Sequence, residues 1–414
     1  MDIRQNKNHS SWLNRTVVGT GITSALGDFA YETATVILPG FLAVLGIPAF
    51  ALGTIEGVAD AISSFTKLGA GFLSDRIGRR KPFVMLGYGL TAIAQALFAI
   101  ATGWGLILFG RTVAWFGKGI RGPLRDAILA EAITNQTRGR AFGFHRAADT
   151  VGAVIGPLLG VALLAMFQNA SSADASVPFR NVFWLTLIPG FLSVLSFGFF
   201  VKEKRRDKNP RLKFWQSIRS LPVDFRRYLT AVGLFGMGDF AHTLLILAAT
   251  QILTADLGLV KAAQVAGLLY VGRNIVQAVV SYPVGHLADK YGHKKILTAG
   301  YMIAVLTALM MAFAFLFQIT NIIYLAFIFF PAGVYIAVED ALESTMTAEY
   351  VPQELRGTGY GLLGTVNGIG DLISSSVVGL LWTVISPVAG FGFAAILMLT
   401  GTLMMMFFKN RNKR

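Results

Sequence analysis

The chain has 414 residues, 54% hydrophobic and 14% charged, with a formal charge of +14 and no cysteine. A soluble domain carries about 25% charged residues. Together with a mean hydropathy of +0.60, this excludes an ordinary soluble enzyme and leaves most of the chain to be solvated by lipid or by other apolar helices.

The apolar runs are long and continuous rather than alternating segments of strand length, and at about 20 residues per span the chain has room for twelve helices. They are predicted at 16–45, 50–74, 82–102, 105–131, 140–167, 181–201, 228–253, 263–287, 295–316, 322–347, 357–383 and 389–408. The first run follows a basic stretch but continues past Asp28 and Glu32 without a small-residue cleavage site, so it reads as a transmembrane helix and not a secretory signal. The segment 202–227 is the long charged interior stretch. It separates an N-terminal bundle, 1–201, from a C-terminal bundle, 228–414, as a cytoplasmic linker.

Basic residues fall in alternate loops: Arg4, Lys7 and Arg15, then Arg76 to Lys81, Arg138 and Arg140, Lys202 to Arg227, Lys290 to Lys295, and Lys409 to Arg414. Arg180 and Lys261 are the main exceptions. This positive-inside pattern predicts cytoplasmic termini. The alternative, a polybasic nucleic-acid surface, would need a soluble domain to carry it, and no segment is long enough; no nucleic acid is expected.

The two halves repeat each other. Gly71, Leu73, Asp75, Arg76, Gly78, Arg79, Arg80 and Lys81 are echoed by Gly285, Leu287, Asp289, Lys290, Gly292, His293, Lys294 and Lys295. Gly27-Asp28 recurs as Gly238-Asp239, Arg125-Asp126 falls opposite Glu339-Asp340, and Arg138-Gly139 matches Arg356-Gly357, at offsets between about 211 and 218. Chance supplies one such match, hardly four. Gly78 and Gly292 allow a tight turn between antiparallel helices. Asp75 and Asp289 stand at helix C-termini, where an anion needs a specific partner. The Arg79-Arg80-Lys81 cluster fixes orientation and can touch anionic lipid.

The spacing G-x-L-x-D-R-x-G-R-R resembles the cytoplasmic loop signature of the major facilitator superfamily of secondary transporters, over essentially the whole chain. The resemblance implies an all-α membrane protein whose twelve transmembrane helices form two pseudo-symmetric six-helix bundles, with a substrate path between them. It also implies that the loop latches the halves in one state, beyond its role as a topology anchor. Gly152, Gly156, Pro157 and Gly160 resemble the helix-five motif of antiporters, although small residues at that spacing also serve plain helix packing. Arg111, Gly117 and Gly119 partly resemble the helix-four motif, which implies a helper role for Arg111 in proton movement. Trp115 and Ala114 depart from that motif.

Ionisable groups in mid-membrane cost about 2.5–3.5 kcal/mol each on insertion scales, so they face a cavity or a partner. Asp28 and Glu32 are one turn apart on helix one; Glu56, Asp60 and Lys67 share a face of helix two; Arg111, Lys118, Arg121 and Arg125 form a stripe on helix four. These predict one charge network, with Glu56 and Asp60 as structural members. The C-terminal half holds Asp239, His242, Arg273, Glu339, Asp340, Glu343 and Asp371. Proton-coupling and cavity candidates are Asp28, Glu32, Asp239, His242, Arg273, Lys118 and Arg121. Arg125, Asp126, Glu339 and Asp340 are gate candidates, with Arg125–Glu339 as an inter-half pair.

The five histidines lack metal-ligand spacing, and no phosphate-binding G-x-x-x-x-G-K-[ST] loop is present. Neither metal, cofactor nor ATP drive is expected; a proton gradient is. The expected activity is proton-coupled export of a small organic or amphiphilic compound by a monomer in a bacterial inner membrane, in contact with lipid. Uptake of a small anionic metabolite and a non-transporting membrane sensor are the alternatives.

Overall fold

The computed structural model describes residues 12–77, 79–134, 137–169, 174–203, 221–352 and 356–407. Among them there are helices and turns and no strand. The twelve spans are α1 (Arg15–Val44), α2 (Ala49–Ile77), α3 (Lys81–Ala99), α4 (Trp104–Glu131), α5 (Arg138–Asn169), α6 (Val177–Leu185 and Leu187–Phe200), α7 (Val223–Gly236, α7a, and His242–Leu257, α7b), α8 (Leu259–Tyr291), α9 (His293–Leu316), α10 (Ile322–Tyr350), α11 (Arg356–Val384) and α12 (Pro387–Phe407).

Local chemistry sets several boundaries. The Asn14 side-chain oxygen accepts from the backbone N–H groups of Thr16 and Val17 at 2.9 and 3.1 Å, and Asn321 does the same for Ile323 and Tyr324 at the start of α10. Gly292 turns the chain between α8 and α9 at φ +99°, a conformation that disfavours any side chain. α3, α5, α6, α9, α10 and α12 are long and apolar enough to cross a membrane. α6 and α12 display Phe191, Leu195, Phe199, Ile396 and Phe407 outward, the apolar surface that lipid covers.

The sixth and seventh spans differ from the sequence expectation. α6 begins at Val177 and is interrupted at Thr186, and helix resumes at Val223, inside the charged 202–227 segment. The seventh span is not one rod. It breaks after Gly236 and restarts at His242. Backbone groups freed in a bilayer must find partners, and α11 supplies them: Ser375 Oγ accepts from Ala241 N–H at 2.9 Å, and Ser374 Oγ donates to the Asp239 carbonyl at 2.6 Å.

The halves meet along two seams. α2 lies against α11; a Cβ at Gly57 would stand 2.9 Å from the Leu372 backbone, so the helices touch through their main chains. At the end remote from the termini, α1 packs on α7b and α8, and α5 packs on α8. There Gln264 donates to Gln168 at 2.8 Å, and nearer the middle of the same seam Asn274 donates to the Ala153 carbonyl at 3.0 Å. Leu244 to Leu253 of α7b and Leu38 to Leu42 of α1 are buried together in one apolar cluster. This remote end is closed. Toward the end that carries the termini, Lys67 of α2 and Asp340 of α10, from opposite halves, are both solvent-exposed.

Candidate functional site

The N-terminal wall of the interior is an ion-pair network on α1, α2, α4 and α5. Arg111 grips Glu56 through Nε (3.1 Å) and Nη2 (2.9 Å), donates from Nη1 to Thr35 Oγ1 (3.1 Å), and lays its guanidinium 3.6 Å from the centre of the Trp115 ring. The Trp115 indole donates in turn to Asp60 at 2.5 Å. Glu56 and Asp60 are thus held by structural partners. Lys118 sits over the rings of Tyr31 and Trp115 at 4.4 and 5.1 Å, within electrostatic reach of Asp28, Glu32 and Asp60. Arg121 covers the Tyr88 ring at 4.2 Å and stands 3.7 Å from Asp28. Lys67 is solvent-exposed, whereas Glu56 is buried on Arg111.

The helix-five glycines position the acids of α1. A Cβ at Gly152 would stand 3.0 Å from Asp28 Cβ, and one at Gly156 would stand 2.8 Å from the Phe29 carbonyl and 3.0 Å from Glu32 Cβ. Gly160 faces Thr33 in the same way, and Pro157 lies within the same turn. α5 therefore seats α1 by close backbone approach at the two turns that carry Asp28 and Glu32.

The central groups come from both halves. Glu32 is buried and accepts a hydrogen bond from Tyr270 of α8 at 3.0 Å; the same phenol lies 3.1 Å from His242 Nε2 of α7b, with the two rings stacked at 5.0 Å. Arg273, 6% exposed, donates to Asn274 at 2.8 Å and Gln277 at 3.0 Å, while its Nε finds no partner. Asp239, in the break of α7, accepts from Tyr335 of α10 at 3.2 Å. Glu343 is buried on the same helix and is met by the Tyr301 hydroxyl and by Asn367 at 2.7 Å. Asp340 accepts from Gln277 at 3.0 Å. The candidates of the two halves therefore face a shared interior.

The gate candidates bind within their own halves. Arg125 donates to Ser24 at 2.8 Å and to Asp126 at 3.0 Å, and Asp340 accepts from Gln277. Gly78 lies outside the described residues, as do the side chains at 71–77 and with them Gly71, Asp75 and Arg76. The rest of the first loop works inward: Arg80 pairs with Glu131 at the end of α4, and Lys81 Nζ donates to the Gly198 and Val201 carbonyls at the end of α6, both at 2.7 Å. Arg79 alone of this basic trio is exposed. The second copy keeps the geometry with other residues. His293 meets Glu349 of α10 at 2.6 Å and Asp289 at 3.1 Å, and Lys294 donates to the Met406 carbonyl of α12 at 3.1 Å.

Sequence reasoning missed Tyr270, Asn274, Gln277, Tyr335 and the Ser374-Ser375 pair. One signal was present. Tyr270, Arg273, Asn274 and Gln277 recur at i, i+3, i+4 and i+7, a polar stripe on one face of a membrane helix.

A sequence profile of the Major Facilitator Superfamily matches residues 20–269 and 234–414. The chain is 30% identical over 408 residues to an uncharacterized MFS-type transporter of Methanocaldococcus jannaschii, covering 98% of each. It is 22% identical over 392 residues to Multidrug resistance protein 2 of Bacillus subtilis, covering 91% of this chain and 90% of that one. In fold it is similar to a variant of the nucleoside transporter NupG, with a TM-score of 0.77 at 13% identity over 95% of this chain and 100% of that chain. With its duplicated charged loops, two six-helix groups and a charged interior between them, the chain belongs to the Major Facilitator Superfamily and is a multi-pass membrane transporter.

Proposed function

We propose that this transporter exports a small organic or amphiphilic molecule in exchange for protons, driven by the proton gradient and without a cofactor. The observation that carries the reading is Asp239, an acid in the break of α7 that accepts from Tyr335 of α10 at 3.2 Å. A carboxylate drawn out of water is costly unless it is matched, and a proton matches it here. A substrate that reaches the broken helix can displace that proton, and its departure restores it. The similarity to a multidrug resistance protein supports export.

Basic loops gather at the end that carries the termini, which supports placing that end in the cytoplasm of a bacterial-type inner membrane. The structure is then the inward-facing state of a monomer. To face outward, α8 must leave α1 and α5, and the cytoplasmic ends of α4 and α10 must approach until Arg125 meets Glu339. A second reading, uptake of a small anion, is favoured by the buried Arg273 Nε that no protein group satisfies.

Inside-out vesicles carrying an imposed pH gradient, challenged with a compound panel, test the proposal. At least one compound should dissipate the gradient with the native protein and not with Asp239→Asn. A labelled compound that is carried with no proton movement would overturn it.

A further inference from the structure

We infer that Tyr270 is a relay residue through which a proton passes between the two halves, along Glu32, Tyr270 and His242. The inference deepens the proton-exchange reading and rests on it for its purpose, though not for its geometry. The phenol oxygen stands 3.0 Å from Glu32 Oε2 and 3.1 Å from His242 Nε2, so one hydroxyl touches an acid of α1 and a base of α7b. A phenol has one proton to donate and lone pairs to accept, which gives the chain two directions. With Glu32 ionised, Tyr270 donates to Glu32 and accepts from His242 Nε2–H. With Glu32 protonated, Glu32 donates to the phenol and Tyr270 donates to Nε2, leaving the imidazole proton on Nδ1.

Transfer along the chain moves the Glu32 proton to the phenol oxygen while the phenol proton goes to Nε2. The products are a carboxylate and an imidazolium, and nothing is oxidised or reduced. Asp28, Lys118 and Arg273 act on Glu32; the cations Arg273, Arg111 and Lys118 act on His242; Glu32 and Arg273 act on Tyr270. Three cations around the imidazole make its doubly protonated form a passing carrier and the neutral ring the resting form.

The relay sits on the seam that must part. Gly267, one turn before Tyr270, is pressed against Val36 of α1 and Val161 of α5. When α8 leaves α1, the phenol leaves Glu32, so the proton can cross between halves only while the remote end is closed. That gives Tyr270 a role beyond helix packing.

The test is nitrogen NMR of the full chain in lipid nanodiscs with isotope-labelled histidine, His242 being identified by the signal lost in His242→Gln. Five histidines keep the spectrum tractable. In the native protein the pyrrole-like nitrogen of neutral His242 should switch from Nε2 to Nδ1 as pH falls and Glu32 is protonated. Tyr270→Phe should hold one tautomer throughout. Glu32→Gln, which leaves the phenol in place, should abolish the same switch and decides the matter if the phenylalanine variant does not fold. A tautomer fixed across pH in the native protein, or a switch that survives Tyr270→Phe, would overturn the relay. Vesicle proton movement with a fixed tautomer removes the relay alone; a tautomer switch without compound-driven proton movement removes the antiport reading alone.

Discussion

Neutralising Glu56 alone should damage the protein more than neutralising Glu56 and Arg111 together. Both side chains are almost wholly buried, at 2% and 1% exposed, and the guanidinium spends two nitrogens on the carboxylate. Glu56→Gln leaves a desolvated cation with a neutral amide, Thr35 and the Trp115 face. Breaking a buried pair from one side costs about 3–5 kcal/mol, whereas replacing both members by apolar groups is often neutral. At about 1.4 kcal/mol per decade, the single change should lower the folding equilibrium by roughly two to three and a half decades, and Arg111→Met by a similar amount. Glu56→Leu with Arg111→Met should recover most of it. Unfolding by denaturing detergent in mixed micelles, followed by tryptophan fluorescence, reads the cycle. Single changes within about 1 kcal/mol of native would refute the claim that the pair is desolvated. A folded double variant that moves no protons in vesicles would refute the scaffold assignment and return Arg111 to the proton-handling role its helix-four motif implies.

Three other outcomes follow from contacts already described. Gly156→Leu should displace α1 at Glu32, cost about 1–3 kcal/mol of stability and abolish compound-driven proton movement in vesicles, with Gly156→Ala intermediate in a thermal-shift series. Lys81→Met should lower the unfolding temperature more than Lys294→Met, because Lys81 serves two carbonyls at 2.7 Å and Lys294 serves one at 3.1 Å; charge-assisted bonds are worth about 1.5–3 kcal/mol each, and scanning calorimetry orders the two. The chain has no cysteine, so Gln168→Cys with Gln264→Cys gives an unambiguous cross-link across the closed end. Oxidation should arrest proton movement in vesicles, and reductant should restore it.

Apart from the sixth and the seventh, the spans follow the apolar runs closely, because in a bilayer the same hydropathy that places a helix also fixes its length. The seventh was expected as one rod at 228–253, and Gly236-Met237-Gly238 carried the warning. Gly27-Asp28, its repeat partner, stays inside an unbroken helix. The pattern around Asp239 is therefore ambiguous until Ser374 and Ser375 of α11, over 130 residues away, are seen to satisfy the freed backbone. The same limit applied to partners. Sequence spacing puts Arg121 and Asp28 within one network, but that Lys67 stays exposed while Glu56 is buried on Arg111 depends on how the helices pack. Tyr270 was hidden for a plainer reason: a tyrosine in an apolar helix reads as packing, and its hydroxyl gains meaning only from Glu32 and His242.

The two halves have kept their scaffold and diverged in their interior. At each copy of the signature loop a cationic or imidazole side chain meets a glutamate at the end of the fourth span of its half, Arg80 with Glu131 and His293 with Glu349. At each copy the next lysine holds carbonyls at the end of the sixth span. These ties join α3, α4 and α6 in the first half and α8, α9, α10 and α12 in the second, and a substitution that preserves them passes unnoticed by the fold. The mid-membrane positions show the reverse. The first half matches its acids with Arg111, Lys118, Arg121 and Arg125, whereas the second half sets Asp239, Glu339, Asp340, Glu343 and Asp371 against Arg273. Under the proposed proton exchange, a symmetric frame lets the motion be shared while the interior divides the work: the surplus acids of the second half are matched by protons or by cargo in each state, and Glu32 of the first half passes its proton across the seam.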